Sequence, residues 1–200
     1  MSQSTTQGIA QMIKQAQNID EVASYLDQLN LQDRVQASRS LNARAQKKLW
    51  VLCQNRQVSR EDLVPVGREG QSVRHLGRNT LPVFKFFEKR FYAPQAESQE
   101  LWGYNEGVTR PWIGPGYFVA RDCRVDEPEA FVIDYEQVPS EHPLPQWPQV
   151  KSNEKGLSRL VYAYMQDYLR KVSDGVLIGK AYRKGKETEN YFTLCRWDEE

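Results

Sequence analysis

The sequence predicts an α+β protein: an antiparallel, barrel-like sheet covered by a helix from the C-terminal region, with a small N-terminal helical region. Three features of the 200 residues support this prediction. Residue patterns typical of helix starts are frequent in the first third of the chain. Aromatic-rich segments interrupted by prolines follow from residue 80. An amphipathic segment near the end leads into a pattern of two strands. The predicted divisions are a helical region at 1–65, a linker or loop at 66–79 and a β-rich domain at 80–200.

The helical region contains two short segments with good N-terminal caps. Asn18 and Asn30 each precede an acidic residue by three positions, in NIDE and NLQD, so both side chains can satisfy free N–H groups at a helix start. Apolar stripes at helical spacing follow, formed by Val22, Leu26 and Leu29 and then by Leu41, Ala45, Leu49, Trp50 and Cys53. Residues 66–79, VGREGQSVRHLGRN, show neither helical nor strand periodicity, which predicts an exposed loop.

Residues 80–148 have the composition of strands and turns, since they hold 13 of the 22 aromatic residues. The clearest alternation is FVIDYEQ, where Phe131, Ile133 and Tyr135 share one face. LPVFKFFEKRFY suits a strand or a short helix equally well. Six candidate strands are predicted at residues 81–92, 100–104, 116–123, 130–137, 176–183 and 190–197.

A helix is predicted at residues 157–172, LSRLVYAYMQDYLRKV. Its stripe has the spacing of a core-facing helix and consists of Leu157, Leu160, Val161, Tyr164, Tyr168 and Val172. A helix with such a stripe has to bury it, so we expect it to cover the open side of the sheet.

The block from this segment to the last strand resembles the end of small bacterial lipocalin-like β-domains. The matching residues span about 30 of the 200 positions and are Asp167, Leu169, Arg170, Lys171, Val172, Asp174, Leu177, Gly179, Phe192, Leu194 and Arg196. The resemblance implies a bacterial protein with a β-barrel that holds a hydrophobic ligand. It transfers no individual functional residue.

The densest candidate binding site is LWGYNEGVTRPWIGPGYFVARD. Aromatic walls with a few fixed polar groups are typical of small-molecule pockets. The predicted walls are Trp102, Tyr104, Trp112 and Tyr117. Arg110 and Arg121 would orient an anionic group of the ligand, and Asp134 would pair with Arg121. The alternative is that these aromatics fill a core and that the charged residues form a structural ion pair.

The sequence lacks the residues that other kinds of functional site require. His75 and His142 both fall in predicted loops, and the sequence has no phosphate-binding, zinc-protease or nucleophile-elbow motif. Cys53, Cys123 and Cys195 are about 70 residues apart, which favours buried free thiols over disulfides or a zinc site. No catalytic residue, metal or cofactor is therefore predicted. An enzyme with Asp122 or Asp134 as a carboxylate base stays open as a third alternative.

The net charge of +1 conceals a basic region, because residues 34–90 hold thirteen Lys or Arg against four acids. This excess can dock an acidic protein, or it can be the solvated face of the helices. Nucleic acid and membrane surfaces are less favoured, although FKFFEKRFY interleaves aromatic and basic residues. The absence of a leader-like N-terminus and of an apolar run predicts a cytoplasmic protein. The favoured function is non-catalytic binding of a hydrophobic or aromatic small molecule in a lipocalin-like cavity; the oligomeric state is open.

Overall fold

A computed structural model describes residues 2–82, 85–95, 98–122 and 131–197, with side chains from residue 8 onward. Five helices come first within these ranges, namely α1 (Ser2–Gln15), α2 (Asp20–Gln28), α3 (Leu31–Ser40), α4 (Ala43–Leu52) and α5 (Arg60–Leu63). The strands follow, namely β1 (Val73–Asn79), β2 (Phe86–Tyr92), β3 (Glu100–Glu106), β4 (Phe118–Asp122), β5 (Phe131–Asp134), β6 (Met165–Ser173), β7 (Val176–Arg183) and β8 (Lys186–Trp197). Two short helices lie in the loops before β4 and β6, namely α6 (Arg110–Ile113) and α7 (Gly156–Tyr162).

The eight strands form one closed antiparallel barrel in sequence order, and β1 completes it by pairing with β8. Closure leaves no exposed strand edge, so every strand finds two backbone partners. The predicted antiparallel, barrel-like sheet is confirmed, and it is consistent with a lipocalin-like barrel. None of the helices within the described ranges has the length and apolar character needed to cross a bilayer.

Large aromatic rings fill the middle of the barrel because glycines stand opposite them. A Cβ atom on Gly77 would overlap the ring of Phe87, and one on Gly103 would overlap that of Phe118. Gly179 makes the same room for Phe192. The end of the barrel where β1 begins is sealed by the segment around α5. It contributes Val58, Leu63 and Val64 to the interior cluster.

The N-terminal helices pack on the outside of the barrel, against β6, β7 and β8. Apolar side chains from α1 to α4 form one cluster with the outward-facing residues of these strands, which are Val172, Val176, Ile178, Tyr191 and Cys195. The guanidinium carbon of Arg170 lies 3.8 Å from the ring centroid of Trp50, and Arg170 donates a hydrogen bond to the Trp50 carbonyl. The strands β6 to β8 are therefore buried on both faces.

The predicted helix at residues 157–172 is wrong beyond Tyr162. Helix α7 ends at Tyr162, Tyr164 has a positive φ of 61°, and the chain continues as strand β6. The apolar stripe misled the prediction because β6 is covered on both sides: Leu169 faces the barrel interior while Val172 faces the helices. A strand apolar on both faces shows no clean alternation. Leu157 and Leu160 are exposed, so α7 does not bury its stripe over the barrel.

The prediction of a loop at residues 66–79 is also wrong, because the second half of this range forms β1. The inward positions of β1 are Val73, His75 and Gly77, only one of which is a typical strand residue. The side chains at its outward positions make polar contacts, such as the ion pair of Arg74 with Glu88. Cys53 and Cys195 are buried free thiols, as expected. Cys123 and parts of three predicted strands, at 83–84, 123 and 130, lie outside the described residues.

His75 faces the barrel interior and is completely buried, with its ring 5.0 Å from that of Phe91. Burial and the nearby positive charge of Arg196 lower the pKa of His75 from 6.5 to about 3. The unfolded chain therefore binds a proton at this residue over a pH range where the native protein does not. The contribution of His75 to the free energy of unfolding is fully present above pH 6.5. It is lost as the pH falls from 6.5 toward 3.

We expect the free energy of unfolding of the wild type to fall by about 2 kcal/mol from this source between pH 7.5 and pH 5. His75→Leu removes the titrating group, so its stability should change with pH by that much less. Urea unfolding at both pH values, followed by tryptophan fluorescence, measures the difference. His142→Leu is the matched control, since it makes the same substitution at an exposed histidine. Equal pH dependence in wild type and His75→Leu would contradict the assignment.

Candidate functional site

A cavity of about 190 Å³ opens at the end of the barrel opposite α5, between the loops β1–β2, β3–β4 and β5–β6. Its walls are mainly apolar and aromatic. The side chains that define them are Phe87, Ile113, Val161, Tyr162, Met165, Ala181 and Phe192. The Tyr162 ring from α7 stacks on Tyr135, with centroids 5.4 Å apart, and so covers part of the cavity.

Strand alternation places four polar side chains at the inner end of this cavity. Phe87, Lys89 and Phe91 are the inward positions of β2, and Asn105 is an inward position of β3. Asp167 lies opposite Ala181 in the pairing of β6 with β7, and Tyr135 follows directly after β5. Lys89 therefore occupies a position where the same face of its strand otherwise carries phenylalanine.

Lys89 is the centre of a buried hydrogen-bond cluster. Its Nζ donates to Asn105 Oδ1 at 2.9 Å and to Asp167 Oδ2 at 3.2 Å, and it also contacts the Tyr135 hydroxyl at short range. The Tyr135 hydroxyl donates to Asp167 Oδ2 at 3.2 Å, while Asn105 Nδ2 donates to that hydroxyl at the same distance. The side chains of Lys89 and Asp167 are 3% and 8% exposed, so the pair is shielded from water.

Four aromatic rings surround the Lys89 ammonium group. Its Nζ lies between 5.0 and 5.5 Å from the ring centroids of Tyr135, Phe118, Phe192 and Phe87. The electron-rich faces of such rings attract a cation, and the attraction is larger where water is excluded. These rings therefore replace part of the hydration that the ammonium group loses.

Burial shifts the pKa values of all three titratable groups in the cluster. Desolvation lowers the pKa of Lys89 and raises that of Asp167, and the attraction between the two opposes both shifts. Desolvation also raises the pKa of Tyr135 well above 10, and the charge of Asp167 raises it further. The amine and the carboxyl group are thus closer in proton affinity than a solvated lysine and aspartate, so moving a proton between them costs less.

The outer rim of the cavity carries an ion pair and exposed apolar side chains. Arg110 Nε lies 2.7 Å from Glu106 Oε1, and both residues line the opening. The large hydrophobic residues exposed around this end of the barrel are Leu81, Phe86, Val108, Trp112, Leu157, Leu160, Val161 and Tyr164. Apart from these, only Val51 and Val66 are large exposed hydrophobics among the described residues. The apolar surface is thus concentrated at the mouth.

The structure does not bring the seven sequence-predicted site residues together in one cavity. Arg110 alone lines the opening. Trp102 stacks on Tyr92 on the outside of the barrel, and Tyr92 in turn packs against the outer cluster of Tyr104, Tyr117 and Trp147. Trp112 is 73% exposed. Arg121 pairs with Asp134 at 3.2 Å, as anticipated for paired strands, but on the outer face of β4 and β5.

Sequence reasoning missed Lys89, Asn105, Tyr135 and Asp167 as a group. A signal for one of them was present, because a strand at FKFFEKRFY puts Phe87, Lys89 and Phe91 on a single face. A lysine on an apolar face of a strand is rare unless it is paired. The signal was not used because the same letters also suit a surface strip of aromatic and basic residues.

Comparisons with family models, with curated proteins and with solved structures found no match for this chain. The functional interpretation therefore depends on the geometry and chemistry of the barrel mouth.

Removing only one partner of the Lys89–Asp167 pair leaves a buried charge without its counter-ion. We expect Lys89→Met to lower the free energy of unfolding by about 3 kcal/mol, because buried ion pairs broken on one side lose stability on this scale. Lys89→Met combined with Asp167→Leu should recover most of that loss, since apolar residues of similar volume can replace such a pair. Urea unfolding of both variants measures the effect.

The matched control is Lys47→Met. Lys47 pairs with Glu189, but both side chains are more than half exposed, so this substitution should leave the free energy of unfolding close to that of the wild type. If the double variant is no more stable than Lys89→Met alone, the ion pair is not the reason for the loss.

Proposed function

We propose that this protein binds a small aromatic molecule in the mouth of its barrel, with a neutral polar group of the ligand placed at the Lys89 cluster. The closed barrel is compatible with small-molecule binding. The observation that supports the proposal is a cavity whose walls are apolar and whose inner end carries a buried, hydrogen-bonded polar cluster. Apolar walls with a few fixed polar groups are the usual composition of ligand sites.

The size of the cavity limits the ligand to one or two rings. A dry cavity of about 150 Å³ accommodates benzene, and this one measures about 190 Å³ with an open mouth. Aromatic walls also favour a flat ring, since rings pack edge to face or offset against each other. The exposed apolar side chains at the rim are poorly hydrated. A hydrophobic ligand could therefore pass them and enter the cavity readily.

The charges at the inner end favour a hydroxyl or carbonyl over an ionised group on the ligand. Lys89 and Asp167 balance each other, so a carboxylate brought beside them would approach the Asp167 oxygens without a new counter-ion. A hydroxyl or carbonyl can instead share hydrogen bonds with Lys89, Asn105 and Tyr135 at no cost in net charge. This differs from the sequence-based expectation of an anionic ligand group held by Arg110 and Arg121.

Docking of an acidic partner on residues 34–90 stays a prediction that no specific contact favours. Most basic side chains in this region contact other parts of the same chain. Examples are Arg34 with the Asp174 carbonyl, Arg56 with Asp20, Arg74 and Arg90 with Glu88, and Lys89 with Asp167. A carboxylate-base enzyme likewise stays a prediction, and Asp167 is the buried carboxylate that faces the cavity.

Ala181→Phe should block the cavity, because Ala181 lines it and a phenyl group would occupy the space of the ligand. With cinnamyl alcohol as a neutral aromatic probe, we expect the dissociation constant to rise at least tenfold, measured by ligand-observed NMR titration. The wild type should bind the probe in the micromolar to millimolar range, as expected for a ligand of about ten heavy atoms.

Ala43→Phe is the matched control, since Ala43 is exposed at the start of α4 and the added ring stays in solvent. It should leave the dissociation constant unchanged, and so should raising the salt concentration tenfold, because the probe is uncharged. Equal binding by wild type and Ala181→Phe, or no binding by either, would contradict the proposed site.

A further inference from the structure

The inner end of the cavity presents a lysine amine together with groups that can move protons around it. The geometry points to Lys89 as a site of reversible imine formation with a small aromatic aldehyde. This inference rests on the proposed binding function and specifies the reactive group of the ligand. It uses the position of Lys89 Nζ at the cavity, its 3.2 Å contact with Asp167 and its ring of aromatic neighbours.

The placement of the neighbours suits the reaction. An aldehyde whose ring lies between Phe87, Tyr162 and Phe192 would direct its carbonyl group toward Lys89 at the inner end. Asn105 and Tyr135, which both accept hydrogen bonds from Lys89, are also the neighbouring donors that could turn toward the carbonyl oxygen. To do so, Asn105 would exchange its bond to the Tyr135 hydroxyl, or Tyr135 its bond to Asp167. Asp167 accepts a hydrogen bond from the same amine and is the nearest carboxyl group for proton transfer.

Imine formation has a balanced course through these groups. The Lys89 ammonium gives a proton to Asp167, and the amine lone pair attacks the carbonyl carbon, so that a C–N bond forms. The nitrogen loses a proton and the former carbonyl oxygen gains one, which produces a neutral carbinolamine. Asp167 then returns its proton to the hydroxyl group, water leaves, and a protonated imine remains beside the Asp167 carboxylate. The net change joins one aldehyde to one ammonium group and releases one water molecule.

The surroundings favour both the attack and the product. Burial lowers the pKa of Lys89 and raises that of Asp167, so the unprotonated amine is more accessible than that of a solvated lysine. The product keeps a positive charge at the same nitrogen, where four aromatic rings and Asp167 already stabilise a cation. A shielded cavity also slows the hydrolysis that reverses the reaction.

A second buried lysine provides the comparison within the same chain. Lys180 is 6% exposed, contacts the rings of Tyr182 and Tyr191, and pairs with Glu187. It faces the outside of the barrel and does not line the cavity. If burial beside aromatic rings were sufficient for reactivity, both lysines would react; if the cavity is required, only Lys89 will.

The test uses trans-cinnamaldehyde at one equivalent with sodium cyanoborohydride, which reduces a protonated imine to a stable amine. Peptide mass spectrometry then locates the adduct. We expect Lys89 to carry at least ten times more adduct than any other lysine. Lys180→Met should keep the Lys89 adduct within twofold of wild type. In the Lys89→Met/Asp167→Leu variant, chosen because it avoids an unpaired buried charge, no other lysine should gain adduct, so the total adduct on the protein should fall by about half or more. An unchanged total would overturn the assignment.

Cinnamyl alcohol separates this inference from the binding function on which it rests. If the alcohol binds and the aldehyde leaves no preferential adduct on Lys89, the imine is overturned while the binding site stands. If neither compound binds, the binding function fails and the imine fails with it. Binding of the alcohol together with a dominant Lys89 adduct supports both.

Discussion

The candidate site depends on a lysine ammonium group placed where the barrel would otherwise hold an apolar side chain. Taking this charge out of water is unfavourable, and its pairing with Asp167 and its aromatic neighbours offsets only part of the loss. Apolar residues of similar volume often fill such a position with little loss of stability. The pair therefore supports the proposed role in ligand binding rather than a role in folding alone.

The position of the cavity follows from how the barrel is filled. Glycines at 77, 103 and 179 allow phenylalanine rings to lie across the barrel's middle, and α5 seals the end where β1 begins. The cavity lies at the opposite end, between the Lys89 cluster and the loops that carry α6 and α7. The N-terminal helices stabilise the barrel from outside, against β6 to β8, and leave this mouth uncovered.

Sequence reasoning worked where one face of a strand was apolar and the other polar. It identified Phe131, Ile133 and Tyr135 as one face, and the structure places all three inside the barrel. It failed for β6, whose inward Leu169 and outward Val172 are both buried, and for β1, which has few strand-forming residues. Two of the predicted wall residues, Tyr104 and Tyr117, instead pack outside the barrel against residues 138–150. Composition alone could not show this, because it does not reveal which face of a strand points inward.

Under the proposed function, the Lys89–Asp167 pair would make the site select a ligand by its ability to exchange protons and hydrogen bonds as well as by its shape. Burial lowers the pKa of Lys89 and raises that of Asp167, so less free energy separates the ion pair from the neutral amine and carboxylic acid than for a solvated lysine and aspartate. In the ionic form Lys89 could donate a hydrogen bond to a carbonyl oxygen in place of one of its three present acceptors, and in the neutral form its amine would be a nucleophile toward the carbon of that group. A carbonyl compound is the class of ligand that can use both forms, whereas a hydrocarbon uses neither and an anion opposes Asp167.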